Sequence, residues 1–193
     1  MKRRLHTLLF SGLILCSVIF PISTSAETKK LNAEGTYTMG DGETPMIAEA
    51  RALQKAKRIA LEQAGTYVES YTKVKNYTLT ADEVQTIAGG VLEVEVLEKS
   101  RTLVGDGLRF VVKIMATVTT DKMEELAGRI KGKNIADEYS KLQREYDRLN
   151  KETESWKQLV AKAQPGQERD SALDQIRQRE KAFSETQKSE AGL

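Results

Sequence analysis

Ala48, Ala52, Ala56, Ala60 and Ala64 recur at every fourth position. No other feature restricts the fold of this chain as strongly. Residues four apart share one face of a helix, and a face of methyl groups lets that helix lie close on a flat neighbour. Ile47, Leu53, Leu61 and Val68 flank the row, Thr44 is placed to cap the helix, and Pro45 takes its first position. A helix from Pro45 to about Tyr71 is expected, with Arg51, Lys55, Lys57, Arg58 and Glu62 mainly toward water.

The flat neighbour lies in residues 89–118. Leu92, Val94 and Val96 alternate with Glu93 and Glu95, and Leu108, Phe110, Val112, Ile114, Ala116 and Val118 fall on one face of a second run. That is the period of a half-buried strand, and Gly105-Asp-Gly107 supplies the tight reversal between the two. Phe110, Val112 and Ile114 should be buried against Ala56, Ala60 and Ala64. Asn32 to Met39 can add a short strand after a loose charged stretch, Glu27 to Lys30, and "GDGETP" is turn chemistry. Thr80-Ala-Asp-Glu83 fits a capping box, opening a short helix through Ile87 that Gly89-Gly90 should stop. The order strand, long helix, short helix, strand, strand predicts an α+β fold. A small antiparallel sheet packs on one long helix plus a short helix.

From Asn134 the period changes. Ile135, Tyr139, Leu142, Tyr146, Leu149, Thr153, Trp156, Val160 and Ala163 step by four and three, as in a coiled-coil seam, with Thr153 its weak member. Pro165-Gly166 ends the run, and Glu168 to about Gln187 can form a second helix with a sparse stripe of Leu173, Ile176 and Phe183. A helix of about 30 residues spans roughly 45 Å. Either the two helices fold back as a hairpin, or the first pairs with another chain or lies alone on the domain. Its seam is too regular to be left in water, and a fold-back onto the shorter second stripe would cover only part of it. An elongated extension that projects from the domain is therefore expected. Its association seam is Ile135, Tyr139, Leu142, Tyr146, Leu149, Trp156 and Val160, and it favours a second copy through residues 134–163.

The first residues read as an address. Lys2, Arg3 and Arg4, the apolar run Leu8 to Phe20 and the small residues Thr24-Ser-Ala26 form the pattern of a secretory signal peptide. Leu15 before Cys16 does not suit a lipidation signal. Cleavage after Ala26 would remove 26 of 193 residues, leave 167, and take away the only cysteine, Cys16, and the only histidine, His6. Three of the 30 basic side chains would leave as well, so 27 cations would face 28 carboxylates. A near-neutral chain gives no reason to expect nucleic acid or an anionic surface as partner, and no apolar run follows that could span a membrane. The expected organisation is a signal peptide at 1–26, an α+β domain at 27–121 and a helical, coiled-coil segment at 122–193.

Chemistry is correspondingly restricted. Nucleophilic catalysis usually relies on an activating base, most often histidine, and zinc sites draw on cysteine and histidine. Calcium wants several acidic oxygens at close spacing, whereas "GDGE" at 40–43 and "GDG" at 105–107 offer few and read as turns. Asp82 and Glu83 could do acid–base work in principle, but the capping role explains both. No catalytic residue, metal ligand or cofactor is singled out, and no enzyme is expected.

The alanine-rich helix ending in "EQAGTYVESYT", then "YTLTADEVQTIAGGVLEVEVLEKS" and the strand "LRFVVKIMATV", resembles a bacterial envelope domain. It is similar to the N-terminal domain of flagellar assembly protein T, related to the LPP20-type lipoprotein domain, over roughly residues 32–119. The resemblance rests on Ala56, Ala60, Ala64-Gly65, Val68, Ser70, Asp82, Gly89-Gly90 and the valine-rich strands. It implies a periplasmic, non-catalytic α+β module, used in at least one case in a ring around the flagellar motor. The further domains of flagellar assembly protein T are missing here, and a heptad helix stands in their place. Two functional expectations follow. One is an exported scaffold or adaptor, periplasmic or secreted, that binds a protein partner in the cell envelope. The other is a small-ligand or peptidoglycan-binding module using the groove between helix and hairpin, for which Tyr67, Tyr71 and Tyr77 are the candidate aromatics.

Overall fold

The computed structural model describes residues 27–75, 77–105, 107–130 and 135–190, with side chains at 135 and 136 left out. The expected signal segment at 1–26 with its cleavage point, Asp106 and the Ile135 side chain lie outside the described residues. The fold is α+β, with a three-stranded antiparallel sheet and five helices among the described residues. Its elements are β1 (Thr28–Met39), α1 (Pro45–Val74), α2 (Ala81–Val91), β2 (Glu93–Val104), β3 (Gly107–Thr119), α3 (Thr120–Ile130), α4 (Ile135–Lys162) and α5 (Gln167–Glu190).

The sheet order is β1-β3-β2, so the most apolar strand is central. Tyr37 pairs with Phe110 and Val96 with Ile114, and Gly105 makes the reversal at φ +60°. β1 begins earlier than its side chains suggest. Thr28 pairs with Thr119, and the Thr120 amide donates to the Glu27 carbonyl, so the stretch expected to be loose is strand from Thr28 onward. Charged side chains do not prevent pairing, because alternate positions along β1 face water.

α1 lies across β1 and β3 on its alanine row. Ala48, Ala52, Ala56, Ala60 and Ala64 are fully buried, as are Val112 and Ile114, with Phe110 nearly so. The approach is closest at Gly35, where an added Cβ would collide with the Ala52 carbonyl and the Ala56 amide. Only a residue without a side chain fits there.

Local signals elsewhere are met in part. Thr80 and Glu83 form the reciprocal capping box at the start of α2. α2 does not stop at Gly89-Gly90 but runs on to Val91. The two glycines instead make room for neighbours: an added Cβ would meet the Tyr139 ring at Gly89 and the Leu126 side chain at Gly90. Thr44 precedes α1 without capping it through its side chain. α3 completes the core, with Met123, Ala127 and Ile130 buried alongside Val118 and Ile87. The core therefore reaches beyond residue 121.

Candidate functional site

The helical segment does not project. α4 and α5 fold back as a hairpin, and α4 packs on α2. Tyr146 and Leu149 are buried with Phe183 of α5, against Ala50 of α1 and Leu142. The Tyr146 and Phe183 rings meet edge to face at 5.3 Å. Val160 is buried with Ala172 and Ile176, and Trp156 lies half-buried beside them. Tyr139 sits half-buried over Gly89. From Tyr139 to Val160 the seam is thus covered by three elements of its own chain. Counting α5 alone underestimates that cover, because α1 and α2 supply the rest.

What joins this hairpin to the sheet layer is polar. Arg51, expected toward water, is 1% exposed. From α1 it donates to Asn150 (2.5 Å) and Thr153 (2.9 Å) of α4, with its guanidinium 5.6 Å from the Tyr37 ring of β1. Its guanidinium also stacks over Phe183 of α5 at 4.7 Å. Thr153, the weak member of the heptad, is at that position an acceptor for a buried cation. Glu43, in the turn before α1, receives a hydrogen bond from the Tyr37 hydroxyl (2.5 Å) and one from the Gly40 amide (2.8 Å). Arg51 Nε stands 3.8 Å from one of its oxygens and Lys157 Nζ 3.2 Å from the other. Lys157 donates to the Thr38 carbonyl at 2.8 Å and lies over the Tyr37 ring. At the far end Glu180 of α5 accepts from the Thr44 amide (2.7 Å) and hydroxyl (3.2 Å), placing a carboxylate at the start of α1, where the helix dipole favours it.

This arrangement is a clasp between α1, the turn before it and the α4–α5 hairpin. Both Glu43 oxygens are committed, and Glu43 and Arg51 face opposite charges, as burial of ions requires. Burial, followed by the Glu43 charge, pushes the Tyr37 phenol well above its ordinary range, so it stays protonated. Burial and then Glu190 act in the same direction on Tyr146, and push Tyr139 up to about 12. Among the described residues no group of three or more His, Cys, Asp or Glu is placed to hold a metal ion. None of their helices is long and apolar enough to cross a membrane.

Two surfaces among the described residues bear on a partner. The first is a cavity of about 210 Å³ between α1, α2, the start of β2 and α4, lined among others by Gln54, Arg58, Leu61, Val94, Tyr139 and Gln143. The aromatics considered for a ligand groove are not there. Tyr67, Tyr71 and Tyr77 pack on the main core, and Tyr71 donates to Glu124 at 2.6 Å. The second is the outer edge of β2. Leu92 and Val94 are half-buried, but Val96, expected on the inner face, is 38% exposed. α1 covers β1 and β3 and leaves β2 uncovered, and a bulge between Val96 and Glu98 shifts the register there. Every residue from Glu95 to Val104 is exposed, including Leu97 (54%), Leu103 (80%) and Val104 (40%). Alternation in the sequence marks β2 as a strand but does not say that its edge is bare.

Comparison with models of protein families, with curated proteins and with solved structures finds no match to this chain.

Proposed function

We propose that the chain is a non-catalytic, exported scaffold or adaptor of the cell envelope, periplasmic or secreted, that holds a protein partner at the free edge of β2. The observation that carries this reading is the edge itself. Twelve residues of strand end in solvent with four large apolar side chains exposed, Val96, Leu97, Leu103 and Val104. Natural sheets shorten, cover, charge or bulge such an edge because it templates pairing with another chain, and β2 is charged and bulged but neither short nor covered. Export is supported by the leader-like start, Lys2 to Ala26. The resemblance to the flagellar assembly protein T and LPP20-type domains agrees with an envelope role, with flagellar or envelope assembly as its setting. The α4–α5 hairpin serves this role as a brace. Its seam is filled from within the chain, so association is assigned to β2 instead.

A second reading is a small-ligand or peptidoglycan-binding module, favoured by the cavity between α1, α2, β2 and α4. Cross-linked capture from the envelope fraction separates the two, using the protein and a Leu97→Lys, Leu103→Lys variant. The scaffold reading expects specific partners that the variant loses. Unchanged capture by the variant, or thermal stabilisation of the purified protein by peptidoglycan fragments, would overturn it.

A further inference from the structure

Gln54 of α1 is buried, at 7% exposed, yet its amide makes no hydrogen bond to another described residue. It is not sealed off either. The enclosed polar atoms without a partner, among the described residues, are Arg51 Nε, Tyr67 Oη and Arg109 Nε. The Gln54 side chain opens instead on the cavity between α1, α2, β2 and α4. Burying an amide without a partner is unfavourable, and leucine, of similar size, would serve packing better at this position. The amide is accounted for by something that enters the cavity.

The remaining lining narrows what that is. Tyr139 and Gln143, one turn apart on α4, bring a phenol and a second amide to the same space. A carboxamide donates and accepts at once, so Gln54 and Gln143 together match a ligand group that does the same, such as an amide. Leu61, Leu92 and Val94 supply apolar surface beside them. An apolar cavity with a few convergent polar groups is the usual make-up of a small-molecule site. Two of its charged residues are engaged elsewhere: Arg58 pairs with Glu62 and Asp147, and Glu190 accepts from Tyr146. Lys57 also lines the cavity, half-buried, and pairs with no carboxylate among the described residues. A ligand carboxylate would have a cation to meet there. The volume of about 210 Å³ lies below the range, from about 300 Å³ upward, of pockets that enclose drug-sized molecules. It suits a molecule the size of one amino-acid residue rather than a glycan–peptide fragment.

We infer that this cavity binds a small N-acylated amino acid, its amide held by Gln54 and Gln143, its apolar side chain on Leu61, Leu92 and Val94, and its carboxylate at Lys57. The inference rests on the small-ligand reading of the cavity and is independent of the β2 edge, whose Leu97 and Leu103 do not line it. Calorimetric titration of the purified full-length protein tests it with three probes. These are N-acetylvaline, N-acetylvaline amide, which lacks the carboxylate, and 3-methylbutanoate, which lacks the amide. N-acetylvaline should bind most tightly. Gln54→Leu should weaken it about tenfold while the thermal midpoint without ligand stays or rises, because no internal hydrogen bond is lost. Lys57→Ala should abolish the preference for N-acetylvaline over its amide. A Gln54→Leu variant that binds like the parent, or whose midpoint falls because Gln54 serves the fold or holds water, would overturn the inference. So would a Lys57→Ala variant that keeps the preference. Equal binding of 3-methylbutanoate and N-acetylvaline would sink the amide assignment and leave the small-ligand reading standing. Binding of none of the three would mean a cavity that holds water only, and would end both.

Discussion

α1 makes two contact layers of opposite character. Toward the sheet it presents alanines, and Gly35 lets the backbones approach so closely that no side chain fits between them. Toward the α4–α5 hairpin it presents Arg51, a long cation held by Asn150, Thr153 and Phe183. One layer is set by small size and tolerates no addition. The other is set by charge and hydrogen bonding and tolerates no subtraction. The same helix can therefore be disrupted by opposite kinds of substitution on its two sides.

The largest effect is expected on the polar side. Arg51→Met leaves Glu43 buried with Lys157 as its remaining cationic partner, and removing one member of a buried pair costs about 3–5 kcal/mol. Denaturant unfolding followed through Trp156 fluorescence measures it. A loss confined to the α4–α5 signal would show that the two layers unfold separately, and an unchanged midpoint would mean that the clasp contributes nothing. On the apolar side Ala60→Leu should force the layers apart at a cost of about 1–3 kcal/mol, read as a fall in thermal midpoint. Equal stability would show that the sheet can yield where the alanine row implies that it cannot.

The smallest change at neutral pH is expected for Tyr139→Phe, because the hydroxyl stays protonated there. Its phenol is pushed up from 10.0 to about 12 by burial, then by Glu190. The folded chain thus keeps a proton that the unfolded chain loses first. The stability this provides is complete below about pH 10 and lost as pH rises toward 12. Alkaline unfolding should begin later in the phenylalanine variant. Identical alkaline midpoints would place Tyr139 in contact with water.

The difference between the layers also explains what could be read from the sequence. Alanine periodicity, the alternation of β3 and the capping box at Thr80 are local repeats, and each corresponds to an element that is present. The clasp depends on pairs such as Arg51 with Thr153 and Thr44 with Glu180, far apart in the chain, and no local spacing encodes them. Thr153 in an otherwise apolar seam was the single visible trace. Gly89-Gly90 misleads for a related reason. Glycine ends a helix when the backbone must turn, yet here it is required by Tyr139, a residue some fifty positions later. The bare edge of β2 was hidden because periodicity reports a strand's faces and not its neighbours.

The bond from Thr44 to Glu180 closes a loop of 136 residues. Folding slows as the sequence separation between contacting residues grows, and this contact spans most of the chain. The sheet and α1 can assemble from the first 130 residues, whereas the start of α1 receives its carboxylate only once α5 has been made. The last helix thereby acts as a length check. A chain ending before residue 180 would lack both Phe183 over Arg51 and the carboxylate that accepts from the Thr44 amide and hydroxyl at the opening turn of α1.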